Sequence, residues 1–380
     1  AFYRGFVAEH IDRFCHGNSF LDTSGRQHSG FLTGDDLARW SADLEEPLSF
    51  DYHNHTVFKC GSWSQGPVFL QQLAILSGFD IAAMDPNGSE FVHYVTEATK
   101  LAFADREKFY GDPKFVDVPM GTLLSPEYNA ARQAMIDPEA SAQIRPGTVP
   151  GYGGPVVYGL QDGSRHQVLE GGETISLEQS GPSLSIATGD TVHLDVVDRY
   201  GNLVSITPSG GWLRSSPTIP ALGFALSNRG QIFTLDEGTP GALVPGKRPR
   251  TTLSPGLAFR EGAPYMAFGT PGADRQDQWA LQFFLRLVDH GQNLQQAADA
   301  PTFNTAHFPA SFFPKRAGLR SLNMEGRFSE TVIADLVARG HRVTVGDDWS
   351  QSRLCAVARD HDLLKGASTA RLMQGYAFGR

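Results

Sequence analysis

Between residues 91 and 102, apolar side chains return at Phe91, Val95, Ala98 and Ala102, a stripe that predicts one amphipathic helix. Asn87-Gly88 breaks the chain before it, and Tyr110-Gly111-Asp112-Pro113 ends it. The run Ala1–Ile11 reads as another amphipathic helix, already under way at the first residue. Phe31–Leu37 reads as a loop entering a short helix, with Thr33 as its N-cap. After residue 190 the rhythm changes. Thr191, His193 and Asp195 alternate with Val192, Leu194 and Val196, and a second alternating run covers 202–207. With Arg199-Tyr200-Gly201-Asn202 between them, these runs predict a β-hairpin. Short strands are expected at 223–226, 264–268, 342–345 and 353–358, and helices at 275–290 and 329–339. A strand-rich centre flanked by helices from both halves predicts a layered α+β sandwich.

The segment 146–190 has neither period. Pro146-Gly147, Gly151-Tyr152-Gly153-Gly154-Pro155 and Gly171-Gly172 read as linker or mobile loop, with a short strand at Val156-Val157-Tyr158. A flexible stretch there is a place where the chain can be cut without tearing a core.

Composition narrows the function classes. The chain has 380 residues, a hydrophobic fraction of 41%, 41 Gly and 23 Pro, enough for a large core joined by many turns. A net charge of −9, with no Lys/Arg run, excludes nucleic acid as the main partner. No stretch approaches the ~18–20 apolar residues of a membrane span, so no membrane partner is expected. Cys15, Cys60 and Cys355 show no CxxC spacing and leave an odd one over. That pattern favours a reducing compartment, slightly in favour of the cytoplasm, over a disulfide framework. His53-Asn54-His55 lacks helical spacing and a third ligand and reads as a polar turn, so no metal or organic cofactor is expected. The N-terminus carries no initiator Met, basic region or apolar signal core. The chain therefore reads as the interior and end of something longer, with any targeting signal upstream of Ala1.

Four segments carry candidate chemistry. Thr191 heads the first alternating run, and a cut before it would free an α-amine with a pKa of ~7.7–8.0. Such an amine can take the proton from the hydroxyl of its own residue. Thr207-Pro208-Ser209-Gly210-Gly211 returns to the same end of the hairpin with a second hydroxyl. Lys247-Arg248-Pro249-Arg250-Thr251-Thr252-Leu253-Ser254-Pro255 sets a hydroxyl cluster behind basic groups. Gly269-Thr270-Pro271-Gly272-Ala273-Asp274 runs into the 275–290 helix, whose first N–H groups suit a developing oxyanion. A serine-hydrolase reading of Ser64 is weaker, because Gly61-Ser62-Trp63-Ser64-Gln65-Gly66 misses the G-x-S-x-G spacing by one residue.

Taken in order, these segments resemble the γ-glutamyltransferase (glutathione hydrolase) family of N-terminal-nucleophile hydrolases over essentially the whole chain. Thr191-Val192-His193-Leu194-Asp195-Val196-Val197-Asp198 with Gly201-Asn202 is similar to the start of the family's small subunit. Lys247–Pro255 and Gly269–Ala273 are similar to its substrate-carboxylate and oxyanion segments, and Ala104-Asp105-Arg106 with Tyr110–Pro113 to a large-subunit stretch. The resemblance implies a four-layer αββα sandwich, with a large-subunit part at 1–190 and a small-subunit part at 191–380 forming one domain. It also implies that an N-terminal stretch of the family precursor precedes Ala1.

Residue by residue, it makes Thr191 the nucleophile and Asp190–Thr191 the peptide that is cut. It gives Ser209 the second hydroxyl beside the nucleophile, Gly272 and Ala273 the oxyanion hole, and Thr251 and Thr252 the substrate's carboxylate. The chain departs from the glutathione-processing pattern at Gly211, Arg229 and Ile232, where those members keep Asn, Gln and Asp for the glutamyl ammonium end. Arg229 is either a carboxylate-binding residue or a surface arginine. Three readings follow: a hydrolase or acyltransferase for a small carboxylate-bearing amide, a γ-glutamyl hydrolase or transpeptidase acting on glutathione, and an uncut binding protein. The first accounts best for the departures. After self-cleavage the expected assembly is a large/small heterodimer, or a pair of them.

Overall fold

A computed structural model describes residues 1–380 except 22–24, 161–164, 169–173, 178–190, 211–215, Phe313, Gln374 and Arg380. The described residues form two compact units: those of the first are 1–45 and 209–229, and those of the second lie within 46–181, 191–208 and 230–380. Among them, no helix is long and apolar enough to cross a membrane.

The first unit is built on the helix Phe6–Gly17. It starts five residues later than the sequence pattern implies, because Gly5 is extended and acts as the N-cap. The helix buries Val7, Ile11 and Cys15 against Ile219 of the short strand Thr218–Ile219. Thr33 caps the helix Gly34–Arg39 as expected, in a reciprocal box with Asp36.

The second unit holds a six-stranded antiparallel sheet. Its strands lie in the order Leu363–Ser368, Cys355–Asp360, Ala263–Gly269, Gly256–Arg260, His55–Lys59 and Leu48–Tyr52. Alternation divides its two faces. Val57, Ala258, Met266, Phe268, Ala356 and Ala358 point into one core with the helices Gly66–Leu76, Ser89–Phe109 and Gln276–Val288. The helix Gly66–Leu76 is buried at every residue; its two polar residues, Gln71 and Gln72, bond Asp105 and Thr99 in the interior. Ser89–Phe109 follows the predicted stripe and ends at Tyr110.

The opposite face carries Gly269 and Cys355, which pair across neighbouring strands. Against these central strands lies the hairpin Leu194–Val197/Leu203–Ile206. Regular pairing begins at Leu194 rather than Thr191, although Val192 N–H still donates to Pro208 O at 3.1 Å. The hairpin turns its polar side inward, whereas Val192, Leu194, Val196, Val204 and Ile206 are exposed. A polar interior is tolerated here because those inward residues bond one another, as described below.

In the stretch expected to be linker, Val156–Gly159, Arg165–Val168 and Thr174–Leu177 form a three-stranded antiparallel sheet. Val156 and Tyr158 anchor it in a small core with Ala104, Ile144 and Ala317. Of the two further strands, Arg165–Val168 carries no apolar alternation and Thr174–Leu177 alternates over only four residues, so backbone pairing is what identifies them.

Phe268 sits where sheet and helices meet, its ring 5.7–6.1 Å from those of Phe69, Phe283 and Phe284. Phe268→Ala is expected to cost about 3–5 kcal/mol, read as a lower urea midpoint. A cost below about 1 kcal/mol would contradict this packing.

Candidate active site

Thr191 is half-buried, three residues ahead of the first hairpin strand. His193, two residues on, has its side chain fully buried against the sheet. Its Nε2 lies 3.0 Å from both Asp195 carboxylate oxygens, and its Nδ1 lies 2.7 Å from Thr207 Oγ1 on the returning strand. A Cβ added to Gly269 would lie 2.3 Å from the His193 ring, so only glycine fits beneath it. His193 thereby seats the Thr191 segment on the first residue of the glycine-rich loop.

The loop has its own constraints. Gly272 has φ 144°, and a Cβ there would meet Trp279 at 2.5 Å. Ala273 takes φ 51° and opens a short 3-10 turn, Ala273–Arg275, that feeds the helix Gln276–Val288. Among the described residues, neither the Gly272 nor the Ala273 amide donates to a protein acceptor. Two adjacent unpaired N–H groups ahead of a helix form the kind of donor pair that an oxyanion needs.

The loop is anchored by Asp274, a residue whose role the sequence reading missed. Its carboxylate accepts from Arg106 Nη1 at 2.5 Å, from Ser311 N–H at 2.9 Å and from Ser311 Oγ at 2.5 Å. Arg106 is fully buried and also pairs with Glu107, which binds Arg250 at 2.7 Å. Burial acts to raise the Asp274 pKa, but Arg106 and Ser311 outweigh it and hold it below the usual carboxylate range. One signal was present in the sequence: an arginine within the apolar-striped helix must find a buried anion.

The hydroxyl cluster packs beside the start of the helix Gly66–Leu76. Thr251 N–H donates to Trp63 O at 2.8 Å, and Thr251 bridges to Ser64. Thr252 is almost fully buried, and its Oγ1 has no partner. Ser64 is itself fully buried and accepts from Gly66 N–H, a structural role rather than an open nucleophile. Behind the cluster, Lys59, Ser254 and Asp277 form a closed buried network.

Ser209 and Arg229 belong to the first unit, where Arg229 Nη2 donates to Ser209 Oγ at 2.5 Å. Asp190 and Gly211 lie outside the described residues. Ile232 is buried, at 2% exposure, in the second unit.

Among the described residues, two groups have metal-ligand proximity: His193, Asp195 and Cys355, and His93, Glu97 and His341. In the first, Asp195 already holds His193 Nε2, and burial with the neighbouring Asp195 pushes the Cys355 thiol up. In the second, Lys100 and Arg145 already hold the Glu97 carboxylate. His53 bonds Asp289 and is not joined to His55 in a ligand set.

The Gamma-glutamyltranspeptidase family description matches residues 1–378. Acylase ACY 1 proenzyme of Pseudomonas sp. (strain SE83) is 31% identical over 318 residues, covering 83% of this chain and 49% of that one. Glutathione hydrolase proenzyme of Escherichia coli (strain K12) is 26% identical over 393 residues, covering all of this chain and 58% of its own length. Among solved structures, one titled "Structure of LmbA2991T421A" matches with TM-score 0.86 and 45% identity, covering 100% of this chain and 63% of that one. The chain thus spans about half to two-thirds of the proteins it matches.

Asp274 also makes a pH prediction. A carboxyl whose native pKa is depressed adds stability above its unfolded value of about 3.9, and that stability is lost as pH falls through the native value. Asp274→Asn leaves Arg106 short of a buried partner and is expected to cost about 3–5 kcal/mol at pH 7. The difference from wild type should shrink below about pH 4, as measured by urea unfolding across that range. A constant difference down to pH 2 would exclude ionised Asp274 as the anchor.

Proposed function

The chain belongs to the γ-glutamyltranspeptidase family, and within it we propose an amidohydrolase that cuts itself before Thr191 and then acts on a small carboxylate-bearing amide. The observation that carries this reading is His193, which ties the Thr191 segment to the loop bearing the unpaired Gly272 and Ala273 amides.

In maturation, Thr191 Oγ adds to the Asp190 carbonyl carbon and the C–N bond to Thr191 breaks. The nitrogen takes a proton, and water then hydrolyses the resulting ester. This leaves an Asp190 carboxylate and a free Thr191 α-amine. In turnover that amine takes the Thr191 hydroxyl proton as Oγ attacks the substrate carbonyl, and the Gly272 and Ala273 amides hold the oxyanion. The proton passes to the leaving amine. Water, or an acceptor amine, then releases the acyl group from Thr191. Thr251 and Thr252 hold the substrate's carboxylate.

The same reading divides the chain into a large-subunit part, 1–190, and a small-subunit part, 191–380, within a four-layer αββα sandwich. The exposed apolar side of the hairpin supports that architecture, because it offers a surface for a further layer to cover. Ile232 favours an amide other than glutathione. A buried isoleucine cannot bond an ammonium, and the missing charge-assisted bond is worth roughly 1.5–3 kcal/mol.

Freshly made full-length protein is expected to run as two subunits on a denaturing gel, the smaller beginning at Thr191. Thr191→Ala should remain one chain and turn over nothing. An uncut, inactive wild type would sink the enzymatic reading and leave a binding protein. Gly272→Ala keeps the backbone N–H, but its Cβ would meet Trp279 at 2.5 Å and shift the donor, so it is expected to lower kcat by about 10²–10³-fold, the range for losing one oxyanion donor. If a γ-glutamyl anilide is turned over well, and only with its α-amine free, the substrate is glutathione-like and the other amide is excluded.

A further inference from the structure

The long helix Ser89–Phe109 carries a polar stripe that none of these steps uses. His93, Glu97 and Lys100 recur at i, i+4 and i+7, and none is more than 3% exposed. Buried polar groups need partners, and these find theirs in residues 136–147, which contain no helix or strand. His93 Nε2 lies 2.8 Å from Asp137 O, and Lys100 Nζ donates to Ser141 O at 3.2 Å. Glu97 pairs with Arg145 at 3.2 Å. From far along the chain, His307 Nε2 reaches Gln143 O at 2.9 Å. The segment is a strap, held against the helix by side chains rather than by strand pairing.

Two of these ties require uncharged imidazoles. A carbonyl can only accept, so His307 Nε2 carries the proton, and its Nδ1 accepts from Arg320 N–H at 2.7 Å. A charged ring would turn a second N–H against that amide. His93 is bound likewise: Nε2 donates to Asp137 O, so Nδ1 accepts from His341 Nε2 at 2.9 Å. His341 Nδ1 is buried without a partner among the described residues. A proton added to this pair therefore leaves one N–H without an acceptor, whichever ring takes it. The surrounding charges do not favour one either. Lys100, Arg145, Arg320 and Arg339 face the rings, whereas Glu97 is already paired with Lys100 and Arg145, and Asp335 with Arg339. Asp137 is itself exposed, and Tyr94 meets His93 ring to edge. Burial, reinforced by Lys100, pushes His307 down to about 3 and His341 to about 2, and burial lowers His93 as well.

We propose that residues 136–147 form an acid-released latch: protonation of His307 and of the His93–His341 pair frees the strap from the long helix while the rest of the second unit stays folded. Such a latch would operate in an amidohydrolase and in a binding protein alike. A histidine kept neutral in the native state adds stability above its unfolded pKa of about 6.5, and that stability is lost as pH falls toward the native value. Each proton taken up on release favours the open strap about tenfold per pH unit below 6.5. Asp274 is held below the usual carboxylate range, so the glycine-rich loop keeps its anchor at a pH where the strap has already loosened.

The test is amide hydrogen exchange of the full-length protein between about pH 7.5 and 4.5, read by mass spectrometry and referred to the intrinsic exchange rate at each pH. Amides of 136–147 are expected to lose at least about 10²-fold in protection, the share of a single histidine, while those of the buried helix Gly66–Leu76 keep theirs. His307→Gln can still donate to Gln143 O but cannot charge. It should keep the strap protected at pH 7.5 and lose protection less steeply, by about tenfold per pH unit. His307→Leu, which cannot donate, should lower protection of the strap at every pH. His341→Gln gives the same shallower profile and serves if His307→Gln fails to fold. Protection of the strap that stays constant down to pH 4.5 would overturn the latch. So would an equal loss in Gly66–Leu76, which means global unfolding, or Gln variants whose profiles run parallel to wild type.

Discussion

The geometry of the candidate site depends on the ion pair between fully buried Arg106 and largely buried Asp274. Arg106 comes from the long helix Ser89–Phe109, and Asp274 from the residue that follows Gly272-Ala273. Neither charge is worth burying alone, since desolvation costs several kcal/mol per ion and is offset only by close, fully bonded geometry. That requirement is met by recruiting Ser311, Glu107 and Gln65 around the pair. The result is specificity of position. A loop with a glycine at φ 144° and an alanine at φ 51° would sample other conformations if it were free. Tied at Asp274 and wedged by Trp279 at Gly272, it presents its two amides from one place.

A second constraint acts from the other side. His193 fills the space above Gly269 and bonds both strands of the hairpin through Asp195 and Thr207. The hairpin adheres to the sheet through polar groups in a dry interface, where a satisfied network specifies one register more sharply than apolar contacts would. One-residue slippage would bring Val192 or Leu194 to the ring's place and expose the His193–Asp195 pair. The apolar residues are left facing outward, an inversion of the usual hairpin.

This inversion separates what could be read from the sequence from what could not. The period of 191–207 was legible, and so was the division into one polar and one apolar face, because alternation depends only on residue type. Which face points inward was not legible, since burial pairs residues distant in the chain: His193 with Gly269, and Asp195 with Cys355. The helix at 89–109 was legible from its stripe, but Arg106 could be assigned no partner because Asp274 lies 168 residues away. Thr191, Gly272 and Ala273 were singled out through resemblance alone. The added strand at 165–168 has no apolar alternation and the one at 174–177 only a four-residue one, too short to read alone, so both depend on the neighbour to which they hydrogen-bond.

Positions held by polar or steric partners and positions held by packing alone respond differently to substitution. Asp274, Arg106, Gly269 and Gly272 each have a partner that forbids change: an opposite buried charge, an imidazole or an indole. Ile232 makes no polar bond and is held by packing alone, at 2% exposure. Truncating it would leave a cavity and cost about 2–5 kcal/mol, whereas an apolar side chain of the same volume would leave no charge orphaned. The loop and hairpin therefore change only where polar partners change together, while a packed apolar position answers only to the shape of its neighbours.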